Sequence, residues 1–278
     1  MKLRSVRTAS LALAALLTLP LVPLIAQAHD TWVQTNTNLI RVGDAVHIDL
    51  MLGNHGNEHR DFKLASKIDV AATTMMVVAP DGKKYDLKDR LIDTGYTPKE
   101  GYWTAPFAAD KPGLYTIANT SDMVVSYAPE RAIKSAKSYF VASESLDHPR
   151  TDNPGFDKPL GHPLELVPLV NPVTPMGPGT PLKVRLLYKG KPLANSYIAC
   201  IPRGAQIKEG AVDERYEKTT DANGEVTFEP KEANYYLVVA HKQEKEEGGT
   251  LNGKPYQFTN YGATLTVYVP QICPCCGG

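Results

Sequence analysis

Thr74-Met75-Met76-Val77-Val78-Ala79-Pro80-Asp81-Gly82-Lys83-Lys84-Tyr85-Asp86-Leu87 reads as a strand, a tight turn and a second strand. The apolar, β-branched run suits a pleated, half-buried surface. Pro80 fixes one backbone angle and Gly82 supplies a positive one, so the chain reverses there. The same grammar extends outward in both directions. Val46-His47-Ile48-Asp49-Leu50 alternates apolar and polar side chains with a period of two, as a strand with one buried face requires. Gly101 to Phe107 and Gly113 to Ala118 are two further strands, turned by Ala109-Asp110-Lys111-Pro112-Gly113. Val124 to Tyr127 and Ser138 to Val141 close this half, and Arg131 to Lys137 reads equally as a helical turn or a strand.

The second half repeats the pattern. Its strands are Leu164 to Pro168, Leu182 to Tyr188, Tyr197 to Ile201, Glu225 to Phe228, Tyr235 to Ala240 and Tyr261 to Val269. Asn223-Gly224 is a tight-hairpin dipeptide, because both residues tolerate positive φ. Between the halves, 147–163 contains His148-Pro149, Asn153-Pro154-Gly155 and Lys158-Pro159, a composition that stiffens the chain and resists regular structure. The expected fold is all-β: two antiparallel β-sandwich domains, 29–146 and 164–270, joined by this Pro-rich linker. A Cys-rich tail follows at 271–278.

Residues 1–28 read as a cleaved signal peptide. Lys2, Arg4 and Arg7 form a basic start, Leu11 to Ile25 an apolar stretch, and Ala26-Gln27-Ala28 a small-residue cleavage signal. The apolar stretch carries Pro20 and Pro23 and is shorter than the roughly 20 residues of a membrane span. Arg4 and Arg7 are not adjacent, so the Sec route to the periplasm is expected, with no membrane span left after cleavage. The full chain of 278 residues carries 30 Lys+Arg and 30 Asp+Glu. Cleavage removes three of the basic residues and no acidic ones. The resulting mild acidic balance gives no reason to invoke nucleic acid.

The landmarks "AHDTWV" (28–33), "GNHGNEHRDF" (53–62), "SAKSYFV" (135–141), "GHPLELVPLVNP" (161–172), "VVAHKQE" (238–244) and "YGATLTVYV" (261–269) occur in this order. The series resembles an exported family known as a domain of unknown function, whose members are often labelled NikM-like. The resemblance implies a periplasmic component associated with nickel/cobalt transport, with a membrane metal transporter as partner. Within the second half, "YKGKPLANSYI" (188–198), "TTDANGEVTF" (219–228) and "YYLVVA" (235–240) resemble the transthyretin-like or carboxypeptidase-regulatory-like sandwich, a module that is usually structural or adhesive.

Cleavage after Ala28 makes His29 the first mature residue, with its α-amine and imidazole able to chelate one ion. The two titrate near ~8 and ~6.5, so both can give up protons to a metal at neutral pH. Nitrogen donors suit Cu(II), Ni(II) and Zn(II). Asp30 adds a carboxylate or orients a neighbour. His55 and His59 sit four apart in a Gly/Asn-rich stretch that reads as a loop, with Glu58 as an oxygen donor. His241 follows the strand Tyr235 to Ala240, at an expected sandwich rim, and Lys242 to Glu247 reads as a solvated loop. His47, His148 and His162 read as structural. The metal set is therefore His29, Asp30, His55, His59 and His241, for a divalent nickel, cobalt, copper or zinc ion.

Cys273, Cys275 and Cys276 stand open between a soft-metal site, a disulfide with Cys200, and an unattached tail. There is no nucleophile elbow, P-loop or dinucleotide fingerprint, and no enzymatic role is expected. Three functions remain: a periplasmic metal-binding accessory protein, a structural or adhesive two-sandwich protein, and a copper oxidase with a two-histidine brace at His29.

Overall fold

A computed structural model of the protein describes residues 29–53, 70–95, 101–207 and 213–271. Among the described residues the regular structure is nearly all strand, with only short 3-10 turns besides. In the first half the strands are β1 (Asp30–Thr35), β2 (Leu39–Arg41), β3 (Ala45–Gly53), β4 (Thr73–Val78), β5 (Lys84–Asp86), β6 (Ile92–Asp93), β7 (Trp103–Ala108), β8 (Gly113–Val124) and β9 (Glu130–Ser143). In the second they are β10 (Leu164–Pro168), β11 (Leu182–Tyr188), β12 (Lys191–Pro192), β13 (Tyr197–Pro202), β14 (Glu217–Thr219), β15 (Glu225–Phe228), β16 (Asn234–Glu244), β17 (Gly249–Leu251), β18 (Lys254–Tyr256) and β19 (Phe258–Val269). Among the described residues no helix is long and apolar enough to cross a membrane.

The fold is an all-β sandwich, as expected, and the hairpin of Thr74 to Leu87 is formed by β4 and β5. Met76 pairs with Asp86 and Val78 with Lys84. The undecided segment Arg131 to Lys137 is strand, part of β9. Val124 to Tyr127 is not a separate strand: β8 ends at Val124 and the chain turns there into β9. Register explains this, since Val124 already pairs with Arg131 and the residues between must reverse direction.

The halves share one sheet. Its nine strands run β14-β13-β16-β19-β9-β8-β4-β5, with β2 also on β9. The central seam is the pairing of β19 with β9, from Phe258 with Glu130 to Thr266 with Ser138, and it is parallel. Parallel neighbours cannot be joined by a hairpin. The whole second half of the chain serves as the crossover.

Each face of this sheet is covered by a four-stranded sheet. β1-β3-β7-β6 covers one, closing a core of Val33, Val46, Ile48, Phe107, Tyr115 and Phe140. β10, β11, β12 and β15 cover the other, over Tyr139, Val141, Leu166, Val184, Val238 and Leu265. Successive residues of β9 therefore point into different cores, which is why "SAKSYFV" shows no polar alternation.

The Pro-rich segment takes neither helix nor strand, yet it is fastened to the second core. Tyr139 donates its hydroxyl proton to the Phe156 carbonyl at 3.1 Å. The Glu165 carboxylate accepts backbone N–H bonds from Leu160, Gly161 and His162 at 2.6, 3.0 and 3.1 Å. The same carboxylate takes the Lys137 ammonium at 2.9 Å, with both side chains almost wholly buried.

Candidate functional site

β1 opens the described chain and lies along the face of the nine-stranded sheet. Trp32 packs on Leu237 and Val239 of β16, with Met51 of β3 beside it. The Thr264 hydroxyl donates to the Thr31 carbonyl and the Tyr235 hydroxyl to the Thr35 carbonyl, each at 2.8 Å. Both ends of the strand are thereby tied to the second half of the chain.

This path brings Asp30 to His241. Nε2 of His241 lies 2.7 Å from Oδ1 of Asp30, although the two residues are 211 positions apart. The His241 side chain is 45% exposed and that of Asp30 is 20% exposed, so the pair sits at the surface with one face open. His241 is not at a strand end, as expected, but inside β16, which continues to Glu244. The cause is β19: pairing persists from His241 with Gly262 to Glu244 with Thr259. Lys242 to Glu244 is accordingly strand rather than loop.

Lys134 of β9 completes the cluster. It stands next in the row, opposite Gly262, and its ammonium donates to the His29 carbonyl. Loss of water at the site works to lower the His241 imidazole, but the charge and hydrogen bond of Asp30 outweigh this and hold it above its usual value. Burial depresses the Lys134 amine, against the pull of Asp30 and Glu130.

Three of the five expected ligands are thus drawn to one corner: His29 and Asp30 by sequence, His241 by topology. His55 and His59 lie outside the described residues. The strand that leads to them, β3, ends at Gly53, which is paired with Asp30. His47 is exposed on β3. His162 is half-buried against Glu165, and its Nδ1 has no hydrogen-bond partner among the described residues.

Two donors 2.7 Å apart are close to the roughly 2.9 Å that separates neighbouring ligands at right angles around an ion with ~2.0–2.1 Å bonds. The spacing alone would suit two ligands of one ion, but Nε2 has a single in-plane donor direction, which this hydrogen bond aims at Oδ1, so the imidazole would have to turn before both could bind an ion. Among the described residues no group of three or more His, Cys, Asp or Glu side chains is arranged to hold a metal ion. The residues that sequence reasoning missed are Lys134 and Gly262. Nothing local marks either one, and only the β16–β19–β9 pairing places them beside His241.

Cys200 lies inside the second core as a free thiol, pushed by burial up to about 12. Cys273, Cys275 and Cys276 lie outside the described residues.

A sequence model for a "Domain of unknown function (DUF4198)" matches residues 26–244. The chain belongs to this DUF4198 family. The DUF4198 match begins just before His29 and ends with β16, so it includes Asp30, Lys134 and His241 and omits β17, β18 and β19. A comparison with curated proteins returns no match. Among solved structures the chain is similar to the D0-D1 domain of intimin, at 12% identity over 86% of this chain and 98% of that one, with a TM-score of 0.22. It is also similar to trypsin-activated α2-macroglobulin from Escherichia coli, at 13% identity over 87% of this chain and 16% of that one, with a TM-score of 0.25. A DUF4785 family protein from Legionella pneumophila matches at 11% identity over 75% of this chain and 50% of that one, with a TM-score of 0.26. Scores this low carry no argument about function.

Proposed function

We propose that this DUF4198 protein is exported to the periplasm and captures a divalent transition metal for a membrane transporter, binding it where the mature chain starts. The supporting observation is the contact of Asp30 with His241 at 2.7 Å: two residues nominated separately as ligands meet at an open corner. Cleavage after Ala28 frees the α-amine of His29, which joins that residue's imidazole as a donor next in sequence to Asp30. That donor set, nitrogen-rich with one carboxylate, suits nickel, copper, cobalt or zinc. The protein acts as a carrier and no catalytic step is assigned to it.

The test compares metal content and affinity in three forms purified after native export: wild type, His241→Ala, and a chain with one extra Met before His29. One tightly held equivalent in wild type, lost or weakened in both variants, supports the reading. Equal uptake by all three refutes it.

One observation favours a second reading. The Lys134 cation already stands against this corner, bonded to the His29 carbonyl, and a cation there opposes another. In that case Asp30, Lys134 and His241 are an ionic anchor for β1, and the protein is a structural or adhesive sandwich that retains no metal.

A further inference from the structure

His241, Gly262 and Lys134 form one row across three neighbouring strands. Strands lie about 4.8 Å apart, so the flanking side chains rise from the same face with one residue between them. That residue is glycine. A Cβ at 262 would lie 3.8 Å from Cδ2 of His241 and 3.8 Å from Cγ of Lys134, in contact with both, and any branch beyond it would force them apart. The side chains that flank Gly262, together with Thr264, hold the chain start. Lys134 donates to the His29 carbonyl, His241 bonds Asp30 at 2.7 Å, and Thr264 donates to the Thr31 carbonyl at 2.8 Å. Three consecutive residues are each held by one side chain of the sheet.

We infer that Lys134, spaced by Gly262, is a positioning residue that clamps residues 29–31 so that the donors of His29 and Asp30 face His241. The metal part of this inference rests on the function proposed above, while the clamp itself does not. An ammonium has three donors and no acceptor, so Lys134 in its charged form is no ligand. Its contribution is to order a chain start that would otherwise fray and to lessen what binding must spend on ordering the donors. Its charge acts in the opposite sense, repelling a bound cation. The two effects predict opposite results for Lys134→Met, which removes both, while Lys134→Arg keeps both.

The experiment uses the full mature chain, with its first residue confirmed by mass, and Cu(II) and Ni(II) salts as probes. Titration calorimetry is expected to show Lys134→Met binding about 10–100-fold more weakly, the range for loss of an outer-shell partner. Lys134→Arg and Gly262→Ala should stay near wild type, and Gly262→Val should bind weakly. Hydrogen exchange without metal is expected to show faster amide exchange at residues 30–33 in Lys134→Met, with β10 and β11 unchanged as the internal check on folding. Equal or tighter binding by Lys134→Met overturns the positioning role. Unchanged exchange at residues 30–33 overturns the clamp. A wild type that takes up neither ion refutes the metal reading alone, and the exchange result then decides the clamp by itself.

Discussion

The buried pair of Lys137 and Glu165 gives the sharpest quantitative prediction. Their side chains are 2% and 1% exposed, and the ions meet at 2.9 Å. Removing one partner of such a pair typically costs about 3–5 kcal/mol, because the other charge is left in a poor solvent. The two single changes should not cost the same. After Lys137→Met, Glu165 still accepts three backbone N–H bonds from Leu160, Gly161 and His162, and such bonds stabilise a carboxylate. A loss near the lower end, about 3 kcal/mol, is expected. After Glu165→Leu, the ammonium has lost its carboxylate and three N–H groups have lost their acceptor. Each donor left unsatisfied adds about 1–3 kcal/mol to the extent that it stays buried, so the loss should reach about 5 kcal/mol or more, comparable with the whole stability of many domains. The double variant removes both charges and should cost less than the sum of the singles by about 1–3 kcal/mol. Urea unfolding, followed by the fluorescence of Trp32 and Trp103, measures all three, with unchanged m-values as the check that the comparison is sound. If Glu165→Leu costs no more than Lys137→Met, or if the singles simply add, the account of Glu165 as the common acceptor is wrong.

Three further outcomes are expected. Burial holds His162 below its usual value. At Glu165, burial pushes upward, but Lys137 and the Leu160 N–H prevail and hold the carboxyl below its usual range. A depressed native value means that the unfolded chain takes up protons first, so stability should fall with acidification. The His162 loss begins below pH ~6.5 and the Glu165 loss below pH ~4.3, the unfolded values, and Glu165→Gln should flatten the second step in unfolding curves recorded between pH 7 and pH 3. Cys200, buried and with its thiol pushed up to about 12, should resist alkylation by iodoacetamide at pH 8 in the folded protein, detected by mass, and react once the chain is unfolded in urea. A chain ended at Glu244, where the family match stops, lacks β19, the strand between β16 and β9. It should fail to give a cooperative unfolding transition, and a two-state transition for that fragment would show the seam to be dispensable.

Val46 to Leu50 shows its alternation openly because Val46, Ile48 and Leu50 enter one core while His47 is exposed, although Asp49 on the His47 side is buried. The hairpin from Thr74 to Leu87 is legible because Pro80, Asp81 and Gly82 act through local backbone geometry alone. Arg131 to Lys137 is not legible. Its lysines do not mark a solvent face: Lys137 is buried against Glu165 on one side and Lys134 reaches the His29 carbonyl on the other. The run from His241 to Glu244 misleads for a related reason: its charge suggests a loop, while the ladder to β19 carries it on as strand.

The candidate site divides in the same way. Sequence alone nominates His29 and Asp30, because a cleavage signal is a local pattern, and it nominates His241 because an imidazole after an apolar run is locally conspicuous. Only the tertiary structure brings Asp30 within hydrogen-bonding distance of His241 and finds Lys134 and Gly262 beside them. That arrangement depends on a parallel pairing between residues more than a hundred positions apart. Local propensity acts over a few residues and carries no information about which distant strand completes a sheet.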